Sequence, residues 1–207
     1  MRKITPFLLL GSILLALVSC QKETSIDTLG QPGSSSRAEV GTWKYLSMRG
    51  IINQTIEFND GFDDVKTVSV SDYTTINNAG TIKFDGATMT GNGLGYSIDD
   101  VATIYLYTNG SLDDSLDFPV TATIPPTNTA ATYKKIGTDS IYVQSGVFTS
   151  IGSGGATQSS AGGYKLTFDG DKMTMTAVAD DSQIEFNMGM SQRVTSHSVQ
   201  IVTLQKQ

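Results

Sequence analysis

The chain of 207 residues holds one histidine and one cysteine, which bounds the chemistry it can perform. His197 lies in the string Arg193-Val194-Thr195-Ser196-His197-Ser198-Val199. A Ser-His-Asp triad would have to use it, yet no Gly-x-Ser-x-Gly elbow stands at a strand-to-helix turn. Gly152-Ser153-Gly154-Gly155 falls in a Gly/Ser-rich stretch instead. A lone imidazole and a lone thiol do not furnish the usual zinc site of three or four N/S ligands. Oxygen-ligand calcium has more candidates: Asp60, Asp63 and Asp64, and the pairs Asp99-Asp100, Asp113-Asp114 and Asp180-Asp181. None follows the EF-hand ligand spacing. The same pairs could hydrolyse glycosides only as opposed carboxylates across a cleft. Acids in hairpin loops are ordinarily solvated turn residues. The expectation is a non-enzymatic protein with no metal and no cofactor.

Cys20 has a different use. Met1-Arg2-Lys3 supplies a positive start, and residues 7–18 form a nearly unbroken apolar run. That run is too short to span a bilayer, which takes about 20 apolar residues, but fits a secretory signal peptide. Leu17-Val18-Ser19-Cys20 resembles the bacterial lipobox. The resemblance implies diacylation of the Cys20 thiol, cleavage before it and acylation of the new amine. Residues 1–19 are then a signal peptide, 20–40 a lipidated tether and 41–207 the folded domain. The implied partner is a lipid bilayer, held stably because more than one acyl chain is attached. Gln21 replaces the aspartate that resembles an inner-membrane retention signal, which points to the outer membrane of a Gram-negative envelope. Gln21-Lys22-Glu23 is similar to a short charged signal for surface display; the domain faces the periplasm or the medium.

Loss of residues 1–19 leaves 12 Lys/Arg against 20 Asp/Glu, a net charge of −8. So acidic a chain lacks the clustered bases that nucleic-acid binding needs. As a whole it is also repelled by anionic headgroups, leaving attachment to the lipid. Residues 24–40 read as a linker, with Gly30, Pro32, Gly33 and Ser34-Ser35-Ser36 close together. A flexible coil of about 20 residues spans roughly 25 Å on average. The alternative for this stretch is an N-terminal strand or swapped arm.

From Gly41 the pattern becomes short alternating runs broken by Gly, Asn and Asp. Tyr164-Lys165-Leu166-Thr167-Phe168, Met173-Thr174-Met175-Thr176-Ala177 and Ile184-Glu185-Phe186-Asn187-Met188 each alternate with period two. Such runs are half-buried strands. Further strands are predicted at about 41–49, 65–70, 101–107, 117–124, 140–149 and 194–204, around ten in all, the count of a closed barrel or a sandwich. Pro125-Pro126 is expected to end one of them. Residues 150–163 read as a mobile loop. Asp169-Gly170 signals a two-residue hairpin of type I′, and Asp85-Gly86 another. The stretch Phe84–Thr90 matches Phe168–Thr174 at five of seven positions, which convergent turn chemistry explains as well as duplication does.

Gly41-Thr42-Trp43-Lys44 opens the domain directly after the linker. It resembles the Gly-x-Trp start of lipocalin and lipocalin-like domains. That likeness implies an all-β, antiparallel up-and-down (calycin-type) barrel of about 8–10 strands, with Trp43 closing one end. A basic residue near the last strand is expected on the tryptophan, either Arg193 or Lys206. The second lipocalin motif is absent from its place, since Ser71-Asp72-Tyr73 comes too early, so a β-sandwich is the alternative.

Tyr164, Leu166, Phe168, Met173, Met175, Ile184, Phe186 and Met188 are placed by alternation on the apolar faces of three successive strands. With Trp43 they are the candidate lining for a small hydrophobic ligand, methionine being an adaptable filler of apolar surfaces. The alternative is that they simply pack a core. A different class of function, adhesion to protein or glycan through the outer surface, is favoured by a solid core with an exposed aromatic patch.

Overall fold

Period-two alternation produces strands throughout. The computed structural model describes residues 38–207 apart from 153–154, 159–160 and 188, and contains eleven strands. These are β1 (Gly41–Asn59), β2 (Asp64–Thr74), β3 (Ile76–Phe84), β4 (Thr88–Thr108), β5 (Ser111–Ile136) and β6 (Ser140–Val143). There follow β7 (Thr149–Gly152), β8 (Gly155–Gln158), β9 (Gly162–Asp169), β10 (Lys172–Asn187) and β11 (Met190–Lys206). The signal segment, Cys20, residues 20–37 of the tether and Met188 lie outside the described residues.

Nine of the strands form one antiparallel sheet in the order β11-β10-β9-β6-β5-β4-β2-β1-β3. β11 also pairs with β1, and β4 with β3, so the hydrogen bonding runs round a closed ring. β2 and β3 occupy one line of that ring, broken at Thr75. There the Met48 N–H donates to the Thr75 hydroxyl and Thr75 N–H returns a bond to the Met48 carbonyl, both 2.8 Å. The break needs left-handed backbone at Asn77 (φ 54°) and at Gly80 (φ 100°). A Cβ on Gly80 would lie 2.5 Å from the Gly93 carbonyl oxygen, so no other residue fits.

Both Asp-Gly signals fold as hairpins, one residue out of the predicted phase. Asp169 pairs with Lys172, so Gly170 and Asp171 are the central residues. Only Gly170 has positive φ, the requirement of a type II′ turn in place of type I′. Phe84 pairs with Met89 as Phe168 does with Met173, so the two similar sequences close their hairpins in the same register.

Three expectations fail on strand extent. β5 passes straight through Pro125-Pro126. Its register against β4 slips there, Leu94 facing Thr127 and Tyr96 facing Ile124. β6 pairs with β5 only across Tyr133–Ile136, so at the prolines no partner on that side needs an N–H. Residues 150–163 contain a two-stranded hairpin, β7 with β8. Ile184–Asn187 is no separate strand but the far end of β10.

β10 meets β9 only across Lys172–Thr176, yet pairs with β11 as far as Asn187 and Met190. β1–β2 likewise runs to Asn59 and Asp64, and β4–β5 to Thr108 and Ser111. Above the closed ring the molecule therefore continues as an open six-stranded sheet, β10-β11-β1-β2-β4-β5. The core fills the ring and stops where the open sheet begins.

Three turn and surface carboxyls are held below their usual range. The Thr88 and Ala87 backbone N–H groups bond Asp85, those of Asp63 and Phe62 bond Asp60, and the Arg49 guanidinium bonds Asp72. A carboxyl whose pKa is depressed on folding stabilises the fold above its unfolded value of about 3.9 and loses that contribution as pH falls through the folded value. Melting temperature should therefore be level from pH 7 to about 5 and fall below pH 4. In D60A/D85A the fall should be shallower, as read from circular-dichroism melts across pH.

Candidate functional site

Of the nine candidate lining residues, five are core. Trp43, Tyr164, Leu166, Met173 and Met175 are buried, the two methionines completely. Met173 faces Leu204 and Met175 faces Val202 across β10–β11, with Phe168 and Leu166 on their other side in β9. Phe168 sits at the ring's end, its centroid 6.2 Å from that of Trp43.

Ile184 and Phe186 do not belong with them. β10 runs from Lys172 to Asn187 against β11 without a register shift, so odd and even residues keep opposite faces throughout. Met173 and Met175 point inward; Ile184 and Phe186 therefore point outward, with 74% and 78% of their surface exposed. Treating residues 184–188 as an independent strand hid that parity.

Trp43 seals the end of the ring where the chain enters. Its indole N–H donates to the Glu39 carbonyl at 2.8 Å. The Lys206 ammonium lies 5.5 Å from the ring centroid, a cation–π distance. Of the two basic residues expected on the tryptophan, Lys206 is the one; Arg193 stands far along β11, opposite Glu57. Beside it the buried Glu39 carboxylate accepts a 2.8 Å bond from Lys135.

Further along the axis the interior is occupied by large side chains. Tyr45 has centroids of Tyr96 and Phe148 at 5.9 and 6.2 Å. The Tyr45 hydroxyl shares a 3.2 Å hydrogen bond with Thr75, and the Tyr96 hydroxyl donates to the Thr149 carbonyl. Burial pushes the Tyr96 phenol up to about 12 and that of Tyr45 higher still, so both stay neutral hydroxyls at pH 7. The Tyr164 hydroxyl donates to Gln200 at 2.9 Å. Val147 and Phe148, from the connection after β6, insert into the same core. The interior is packed by its own residues, as small closed sheets commonly are.

The chain matches no family model, no curated protein and no solved structure with which it was compared.

The groups with capacity for acid–base chemistry lie on the surface. His197 Nδ1 is 2.7 Å from Asp180 Oδ1 on the outer face of the open sheet, both side chains substantially exposed. No Ser, Thr or Cys side chain is bonded to this imidazole in the contacts described. Asp60 accepts from the Phe62 and Asp63 N–H groups and Asp64 from the Asn59 amide within the β1–β2 turn, while Asp63 accepts from the Asn109 amide of the β4–β5 turn. Among the described residues no three His, Cys, Asp or Glu are grouped to hold a metal ion.

What the fold leaves exposed is apolar surface on both faces of the open sheet. Leu116 and Phe118 are 58% and 56% exposed. They face Ile104 and Ala102 across β4–β5. Leu106 and Val70 add to the exposed apolar surface on this half. The charge is divided as well. Segments 53–70, 103–117 and 180–197 hold ten Asp/Glu and two Lys/Arg, whereas the remaining residues from 38 to 207 hold eight of each. The whole net charge of −8 expected of the mature chain thus lies on the open half. Two open clefts are found there, one bordered by Val65, Lys66, Arg193 and Ile184, the other by Asn53, Thr195 and His197.

Proposed function

We propose that this chain is an exported lipoprotein of the Gram-negative outer membrane, and that its domain is a lipocalin-like barrel acting as a non-enzymatic binding module through its outer surface. The observation that carries this reading is the contrast between a packed ring and an open sheet that leaves Leu116, Phe118, Ile184 and Phe186 exposed. Ile184 and Phe186 lie on the outer face at the β10 edge, and Leu116 and Phe118 on the face that continues the ring interior at the β5 edge. Large exposed apolar side chains at both free edges mark interaction surfaces. The barrel part of the proposal is supported by the closed hydrogen-bonded ring and by Gly41-x-Trp43 with Lys206 over the indole.

The chain enters the ring at Gly41, the end remote from the turns at 59–64, 108–111 and 187–190. Nineteen residues of β1 at about 3.3 Å each extend roughly 60 Å. The tether thus joins the domain at the end opposite the open sheet's turns. The acidic half is repelled by anionic headgroups, whereas the charge-balanced half is not.

The other reading, a small apolar ligand inside the barrel, needs an enclosed apolar space of about 300 Å³ or more. Titration with an apolar fluorescent probe separates the two. No saturable, displaceable binding is expected; one-to-one binding displaced by fatty acid would overturn the outer-surface reading.

A further inference from the structure

The open sheet has two free edges, and they are not equivalent. Along β5 the edge carries Pro119, and Pro125-Pro126 follow it. Proline has no N–H to offer a neighbour and commonly guards an edge. Along β10, residues 177–187 are beyond the reach of β9 and contain no proline. Eleven consecutive residues there present a straight edge whose register with β11 is unbroken. A bare edge of that length invites an added strand.

The two faces of this edge differ in chemistry. Asp181, Gln183 and Glu185 share the face that continues the ring interior, while the outer face carries exposed Val178, Ile184 and Phe186 together with Ser182 and Asp180, the last bonded to His197. The β5 edge is acidic too, through Asp113, Asp114 and Asp117. Pairing between two copies of this chain would set like charges together, which is unfavourable across strands. An incoming strand with Lys or Arg on one face and apolar residues on the other complements β10 on both.

We propose that residues 177–187 of β10 accept an extended polypeptide segment of alternating basic and apolar residues as a seventh strand of the open sheet. Its apolar residues lie beside Ile184 and Phe186, and its cations beside Asp181 and Glu185. The proposal rests on the outer-surface reading and names the partner's chemistry.

The test uses the full lipidated chain in detergent and a synthetic nine-residue peptide alternating Lys and Val. A control peptide has the same composition with all lysines in one half. Amide exchange is followed with each peptide and without peptide at rising protein concentration. The alternating peptide should slow exchange selectively in 177–187 and bind at least tenfold more tightly than the control. In D181K/E185K, whose melting temperature should match the parent's, its affinity should fall at least tenfold. An alternating Glu–Val peptide should then bind the variant. Equal binding of the two lysine peptides, protection along the β5 edge, concentration-dependent protection without peptide, or no binding would each overturn it. Such a result would leave the outer-surface reading to the apolar-probe titration, which does not depend on any peptide.

Discussion

Replacing Trp43 with alanine should destabilise the folded domain by about 4 kcal/mol, the range for removing a large aromatic from a packed core. The indole is buried, bonded to the Glu39 carbonyl, and covered by Phe168 on one side and the Lys206 ammonium on another. Removal would leave a cavity between β1, β9 and β11 at the one end of the ring where the chain enters, and free a buried carbonyl. Equilibrium urea unfolding measures the change. The matched control is Phe186→Ala on the open sheet, expected within about 0.5 kcal/mol of the parent because an exposed side chain surrenders little on truncation. A loss below about 1 kcal/mol at Trp43, or one no larger than at Phe186, would contradict the placing of the core.

In a chain exported behind a cleavable non-lipoprotein signal in place of residues 1–19, replacing Cys20 with serine should move the protein from the membrane fraction to the soluble fraction almost completely. The thiol is the only one in the chain, so no second cysteine can take over acylation. A doubly or triply acylated terminus holds a protein on a bilayer stably, whereas removal of every chain leaves an acidic domain with no apolar anchor. The measurement is partition of parent and variant between detergent and aqueous phases, with intact mass to count the acyl chains. A variant that still partitions with detergent would show that lipid on Cys20 is not the anchor.

Local sequence signals reported most of what is local in this fold. Alternation marked β9 and the first half of β10 correctly because one face of each meets the core. Asp-Gly marked the two hairpins because the first loop residue must take positive φ, although the turn proved to be type II′ with Gly170 and Asp171 at its centre. The extent of the strands was hidden where both faces meet water. Ala179-Asp180-Asp181-Ser182-Gln183 reads as a polar break, yet it is the solvated middle of a single 16-residue strand. With that continuity hidden, the parity that sends Ile184 and Phe186 outward was hidden too. Pro125-Pro126 misled for a related reason, since a strand with one unpaired side tolerates missing N–H groups.

The site was less legible than the fold. That Lys206 and not Arg193 lies on Trp43 depends on the register between β1 and β11, which pairs residues at opposite ends of the chain. Val147 and Phe148 fall at the end of a predicted strand, with no local mark that they enter the core. The acidic half is assembled from three segments whose acid clusters read as separate turns in sequence, and it emerges only when β1–β2, β4–β5 and β10–β11 are laid side by side.

Whether the ring's interior or the open sheet carries the proposed binding is most directly tested by a native mass spectrum of the protein purified from its own host and treated to remove any acyl chain. The packed core and the exposed open sheet predict the mass of the polypeptide alone, with any retained partner being a peptide or protein. A stoichiometric lipid-like mass that survives purification, and is released only on unfolding, would contradict this and place the ligand inside the ring.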